Sequence, residues 1–206
     1  MLTDVQIEDL GKRMDTPIAF IGFKDELMTT KLVFNKGYII NLEDSTSQDG
    51  KQNEGTHWTA LYVAKYKNGL IQAQFFDPFG APASECIKSF IKRWTPKGTL
   101  LKHTTSDIQS LMANCCGWYS IAWCYFISST SFKHRPPHCT LFELTDKFIA
   151  LFDDLNVSAD YKKNEYILAR FFQSSDPKMR RAIDVISNPS NISGQDDKGG
   201  IDFLKT

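Results

Sequence analysis

The sequence predicts an α+β fold, a small sheet flanked by helices. Residues 57–80, HWTALYVAKYKNGLIQAQFFDPFG, read as two aromatic and β-branched runs joined by KNG, which is a hairpin signal. Residues 116–127, CGWYSIAWCYFI, are apolar all round, the pattern of a buried helix. Three further helical patterns follow it, and that order of elements favours helices set against a sheet over an alternating βα chain.

Taken in order, Thr3 is a fair N-cap and opens a short helix that ends near Arg13. Residues 31–42, KLVFNKGYIINL, hold two short apolar runs around NKG and read as a second, weaker hairpin. Residues 43–55 are a polar loop. The main hairpin comes next and is closed by Pro78 and Gly80. Ser84 caps a helix with Ile87, Phe90, Ile91 and Trp94 at helical spacing. Residues 99–105 read as another strand, and helices are expected over 140–155, 161–172 and 176–187. Residues 1–190 are expected to form a single domain, and 191–206 a loose tail.

The chain of 206 residues is 42% hydrophobic and 13% aromatic, enough for one domain with a sizeable core. No apolar stretch reaches the about 18 residues that a membrane span needs. The amino-terminal residues are polar and lack the basic start and apolar centre of a signal peptide, so an intracellular location is expected. The five cysteines, Cys86, Cys115, Cys116, Cys124 and Cys139, follow no disulfide framework and are expected to be reduced. Twenty-four basic and 24 acidic residues balance, which removes a global electrostatic case for nucleic acid. A local one remains: residues 86–106 contain no acid but hold Lys88, Lys92, Arg93, Lys97 and Lys102. The plainer reading of these cations is a solvated helix face and loop.

Chemistry enters with the adjacent thiols. The thiolate is the reactive form of cysteine, and helix N-termini favour it. Cys116 holds that position if the buried helix opens there, and Gly117 lets a substrate backbone approach closely. A buried cysteine is ordinarily structural, so a nucleophile needs a base. Of the four histidines, His134 and His138 lie in a Pro-rich turn near Cys139 without zinc spacing, and His103 lies in the basic stretch. His57 stands at the start of the strongest strand. A three-residue turn over KNG sets Thr59 opposite Asp77, which makes His57 and Asp77 diagonal neighbours about 5–8 Å apart on one face. A slip of one residue would send them to opposite faces. Taken alone, Asp77 is a turn residue before Pro78. An oxyanion needs donors, and the candidates are the Cys116 backbone N–H, Gln109 and Asn114.

HW, DPFG and QSLMANCCG, in that order around a hairpin, resemble the adenain family of viral cysteine proteases, within the wider superfamily of ubiquitin-like-protein-specific proteases. The resemblance covers about residues 1–130 in layout. Asp77 stands where adenains carry Glu, and the seven-residue step from Gln109 to Cys116 is adenain-like. It implies a mixed central sheet with the nucleophile at the N-terminus of a buried helix. It implies Cys116 as nucleophile, His57 as base, Asp77 as orienting acid and Gln109 as oxyanion donor, with Trp58 and Gly117 in the substrate cleft and Cys115 as a packing thiol. It further implies a monomeric endopeptidase that needs no metal or cofactor, cuts viral capsid or core precursors at Gly-containing sites, and travels in the virion. Activation by DNA or by a peptide belongs to the same pattern, although residues 97–108 hold no cysteine for a disulfide-linked activator. Removal of ubiquitin-like modifiers and acyl transfer use the same triad. Gly199-Gly200 marks a self-trimming site under this reading, against a plain flexible tail.

Overall fold

The structure is a computed structural model that describes residues 1–111, 113–128, 139–155 and 161–173. The predicted helix at 176–187, the tail with Gly199-Gly200, and His134 and His138 lie outside the described residues.

Five strands form one sheet in chain order, flanked by helices. Helix α1 (Asp4–Arg13) starts at Thr3, whose hydroxyl accepts the Gln6 N–H while Gln6 Oε1 accepts the Thr3 N–H, a reciprocal cap. Strand β1 (Ile18–Phe23) runs parallel to β2 (Gly37–Asn41), with the four-residue helix α2 (Lys24–Leu27) in the crossover. The hairpin expected over 31–42 does not form. Residues 31–36 form no strand; Asn35 turns with φ 61, its N–H meets Val63 O at 2.8 Å, and its Oδ1 accepts the Lys65 N–H at 3.0 Å. The first apolar run therefore folds against β3 (Trp58–Lys65), while β2 pairs antiparallel with that strand.

The main hairpin holds the register that its spacing predicts. β3 pairs β4 (Ile71–Phe76) from Ala60 opposite Phe76 to Lys65 opposite Ile71. The Gly69 N–H bonds Tyr66 O at 3.0 Å and Gly69 has φ 86, a turn followed by a left-handed residue. Helix α3 (Glu85–Trp94) crosses from β4 to the parallel edge strand β5 (Leu100–His103). Then come α4 (Cys116–Ser128), α5 (Leu141–Ile149) and α6 (Tyr161–Gln173).

Strand alternation divides the apolar side chains into two layers. Trp58, Ala60, Tyr62 and Phe76 face the core shared with α1, α4, α5 and α6. Tyr38, Ile40, Leu61, Val63 and Phe75 face the opposite core, closed by α3 and Leu27. α4 is the central helix of the first layer, and Phe76 stacks on its Trp123 with ring centroids 5.3 Å apart. All five cysteines are free thiols.

Candidate active site

The site lies at the end of the sheet where β3 begins, β4 ends and α4 begins. His57 directly precedes β3, and its carbonyl accepts the Leu42 N–H at 3.0 Å, which ties it to the end of β2. Asp77 directly follows β4. Its N–H donates to Thr104 Oγ1 at 3.1 Å, and the Thr104 hydroxyl donates to Asp77 O at 3.0 Å. The Gly80 N–H closes the DPFG turn onto Asp77 O at 2.9 Å. Across the hairpin, His57 Nε2 lies 2.9 Å from Asp77 Oδ1.

Cys116, the first residue of α4, completes the group. Its Sγ accepts the Trp58 N–H at 3.4 Å, and the Ser120 hydroxyl donates to Trp58 O at 3.2 Å. These two bonds fasten the start of α4 to the start of β3. His57 is hydrogen-bonded to Cys116 as well as to Asp77. Nε2 is engaged by the carboxylate, which leaves Nδ1 as the ring nitrogen for the sulfur. Burial works against the charged ring, yet the hydrogen bonds and charges of Asp77 and Cys116 outweigh it and raise the His57 pKa to about 9. In its charged form the ring donates from both nitrogens. This charge and the amino-terminal end of α4 together place positive potential on the Cys116 sulfur.

The two neighbouring thiols differ. Cys115 is 3% exposed, and burial, with the charges of Glu165 and Cys116, pushes its thiol far above the ordinary range. Such a thiol stays protonated, while Cys116 sits beside the imidazolium. Cys116 is itself only 2% exposed, and Asp77 is as deeply buried, while the His57 side chain keeps 17% of its surface in solvent.

Gln109 is 2% exposed in the segment before α4. Its Nε2 donates to Ala113 O at 2.6 Å, which ties the amide to the residues leading into the helix and leaves its second N–H. Asn114 is exposed. Trp58 and Gly117, expected in the cleft, are instead covered. Trp58 is 2% exposed with its indole N–H on Leu2 O at 2.8 Å, and a Cβ on Gly117 would meet Leu2 at 3.3 Å. The reason is apolar: Leu2 and Ile7 of the amino-terminal segment bury themselves against this face of α4. Sequence reasoning missed this cover, because neither residue carries a motif. It also missed Phe79, whose ring lies 4.8 Å from that of His57 although its letter stands in the DPFG motif.

Three of the five basic residues have local partners. Lys88 pairs with Glu85 at 2.6 Å, Arg93 donates to Met28 O at 2.8 Å, and Lys102 lies over the Phe142 ring on the face opposite α3. Among the described residues no group of three or more His, Cys, Asp or Glu side chains has metal-binding geometry, and no helix is long and apolar enough to cross a membrane.

No family model matches the chain, and no curated protein matches it in sequence. Among solved structures it is similar to an ASFV protease, at 20% identity and TM-score 0.35, over 55% of this chain and 42% of that one. It is also similar to HopZ1a in complex with IP6, at 8% identity and TM-score 0.37, over 96% of this chain and 75% of that one. The Legionella pneumophila effector RavZ is a third, at 7% identity and TM-score 0.32, over 92% of this chain and 62% of that one. The chain thus spans less than half the length of the ASFV protease it resembles.

Proposed function

We propose that this chain is a cysteine peptidase in which Cys116 is the nucleophile, His57 the proton carrier and Asp77 the residue that orients it. The single observation that carries the reading is the 2.9 Å bond from Asp77 Oδ1 to His57 Nε2, with the side chain of Cys116, at the start of a buried helix, acting on the same ring. A thiolate attacks the substrate carbonyl carbon and forms a thioester as the C–N bond breaks. The proton on His57 leaves with the amine. Water then attacks the thioester and gives one proton to His57; the C–S bond breaks, releasing the carboxylic acid and restoring the thiolate beside the protonated ring. Asp77 holds the ring through Nε2 and offsets its positive charge in both steps. The Cys116 backbone N–H and the second N–H of Gln109 are the proposed oxyanion donors, since the first N–H groups of a helix have no partner within it.

The resemblance to adenains supports Gly-containing sites in viral precursor proteins as substrates. The test is cleavage of a Gly-Gly peptide amide, with intact mass after treatment with a vinyl-sulfone version of the same peptide. The expected result is turnover with one adduct on Cys116, and a loss of about 10²–10³ in kcat for Gln109→Ala. An adduct on another cysteine removes Cys116. Transfer of an acetyl group from acetyl-CoA to a protein, with no peptide cleavage, makes the chain an acyltransferase.

A further inference from the structure

Phe79 touches both partners of the candidate nucleophile. Its backbone N–H donates to Asp77 Oδ1 at 2.8 Å, the same oxygen that faces His57 Nε2 at 2.9 Å. Its ring lies against the His57 ring, with centroids 4.8 Å apart and planes tilted by 31°. The pair is tilted, and its separation is within the about 6 Å over which an aromatic ring attracts a cation. Core packing does not explain a phenylalanine here: Phe79 is half-buried and belongs to neither apolar layer. One edge of His57 serves Asp77 and the other serves Cys116, so a turn of the ring breaks both contacts at once. A plate against one face opposes that turn.

We infer that Phe79 is the positioning residue for His57, holding the imidazolium between Asp77 and Cys116 and stabilising its charge through the ring face. The inference rests on the peptidase reading for its consequence, not for its physics. The charged groups acting on His57 are Asp77 at the end of β4 and Cys116 at the start of α4, and both stay in place when the Phe79 side chain changes. The N–H bond to Asp77 stays as well, being backbone. Substitution at position 79 therefore isolates the ring.

The experiment is a carbon-13 NMR titration of His57 in the full chain, assigned with His57→Gln, together with the pH profile of Cys116 alkylation by iodoacetamide. Phe79→Leu keeps an apolar cover without a π face. It should lower the His57 midpoint by about one pH unit, a tenfold change in its proton-binding constant, and shift the alkylation profile with it. Phe79→Trp should restore both. If Phe79→Leu unfolds the chain, Phe79→Tyr and Phe79→Trp against the natural chain give the same reading, because Trp is the strongest cation-binding ring. A midpoint and profile unchanged across all variants overturns the inference. If no peptide is cleaved yet the titration follows the ring at position 79, the peptidase reading fails and the positioning role stands.

Discussion

Cys115 and Cys116 are neighbours in sequence and opposites in chemistry, and the difference arises one residue at a time. Successive residues at a helix start point about 100° apart, so two adjacent side chains cannot serve one partner. Cys116 takes the contact with His57, while Cys115 lies in apolar surroundings that hold its proton. Iodoacetamide at pH 7 should label the natural chain at Cys116. Cys116→Ala should stay folded and lose that label, and Cys115→Ala should keep it at a cost of about 1 kcal/mol in stability. Peptide mapping of the adduct decides, and a label on Cys115 would reverse the assignment. The residues of this contact were legible in the sequence because each carries a letter with known chemistry at a spacing that a turn fixes. Glu165 was not legible: its letter sits in a helical pattern, and only the packed structure reveals a carboxylate 2% exposed with neither oxygen bonded among the described residues. Burial raises its pKa from 4.5 to about 7, against a lesser opposite pull from Lys162. The folded chain therefore holds a proton that the unfolded chain has released between those values, so stability falls as pH rises through this window and the penalty is full above it. Glu165→Gln should match the natural chain near pH 4.5 and exceed it by up to about 3 kcal/mol at pH 8. Urea unfolding at the two pH values reads this directly, and an equal gap at both refutes it.

At the scale of elements, the hairpin is what turns distant letters into a site. The three-residue loop fixes the pairing of β3 with β4, and that pairing carries His57 and Asp77 to the same end of the sheet. The turn after β4 then has to reverse without moving Asp77. Gly80 makes this possible: its φ is 71, and a Cβ there would lie 2.7 Å from the Thr105 carbonyl carbon and oxygen. Gly80→Ala should therefore cost about 2 kcal/mol or more, combining left-handed backbone strain with a backbone clash. It should also shift the His57 titration, since the same turn anchors Asp77; an unchanged denaturation midpoint would show that the turn yields. Elements with strong local signals were read well from sequence, namely α1 with its reciprocal cap, the hairpin, α3 and α4. β1 was missed because IAFIGF is short, apolar on both sides and without a turn partner of its own; it is recognised only by lying parallel to β2. The hairpin expected at 31–42 failed for the related reason that β2 found better partners elsewhere.

For the whole molecule, the decisive fact is that the amino-terminal segment is packed and hydrogen-bonded over the start of α4. Leu2 is 5% exposed, rests against the position a Gly117 side chain would occupy, and offers its carbonyl to the Trp58 indole at 2.8 Å. It thus links α1, β3 and α4 directly over the residue that follows Cys116. This explains why Trp58, Cys116 and Gly117 are all buried. Leu2→Ala retains the carbonyl and its hydrogen bond but removes the cover. Truncation of a buried leucine costs about 2–4 kcal/mol where the surroundings collapse little. Lower stability alone would speed alkylation of any buried thiol through global unfolding, so a matched control is needed. Leu27→Ala supplies it, because Leu27 is fully buried in the layer on the other side of the sheet, away from Cys116. If the amino-terminal cover governs access, Leu2→Ala should raise the rate of Cys116 alkylation well above that of Leu27→Ala at equal loss of stability. Equal rates in the two variants would mean that access follows global unfolding and that Leu2 is only part of the core.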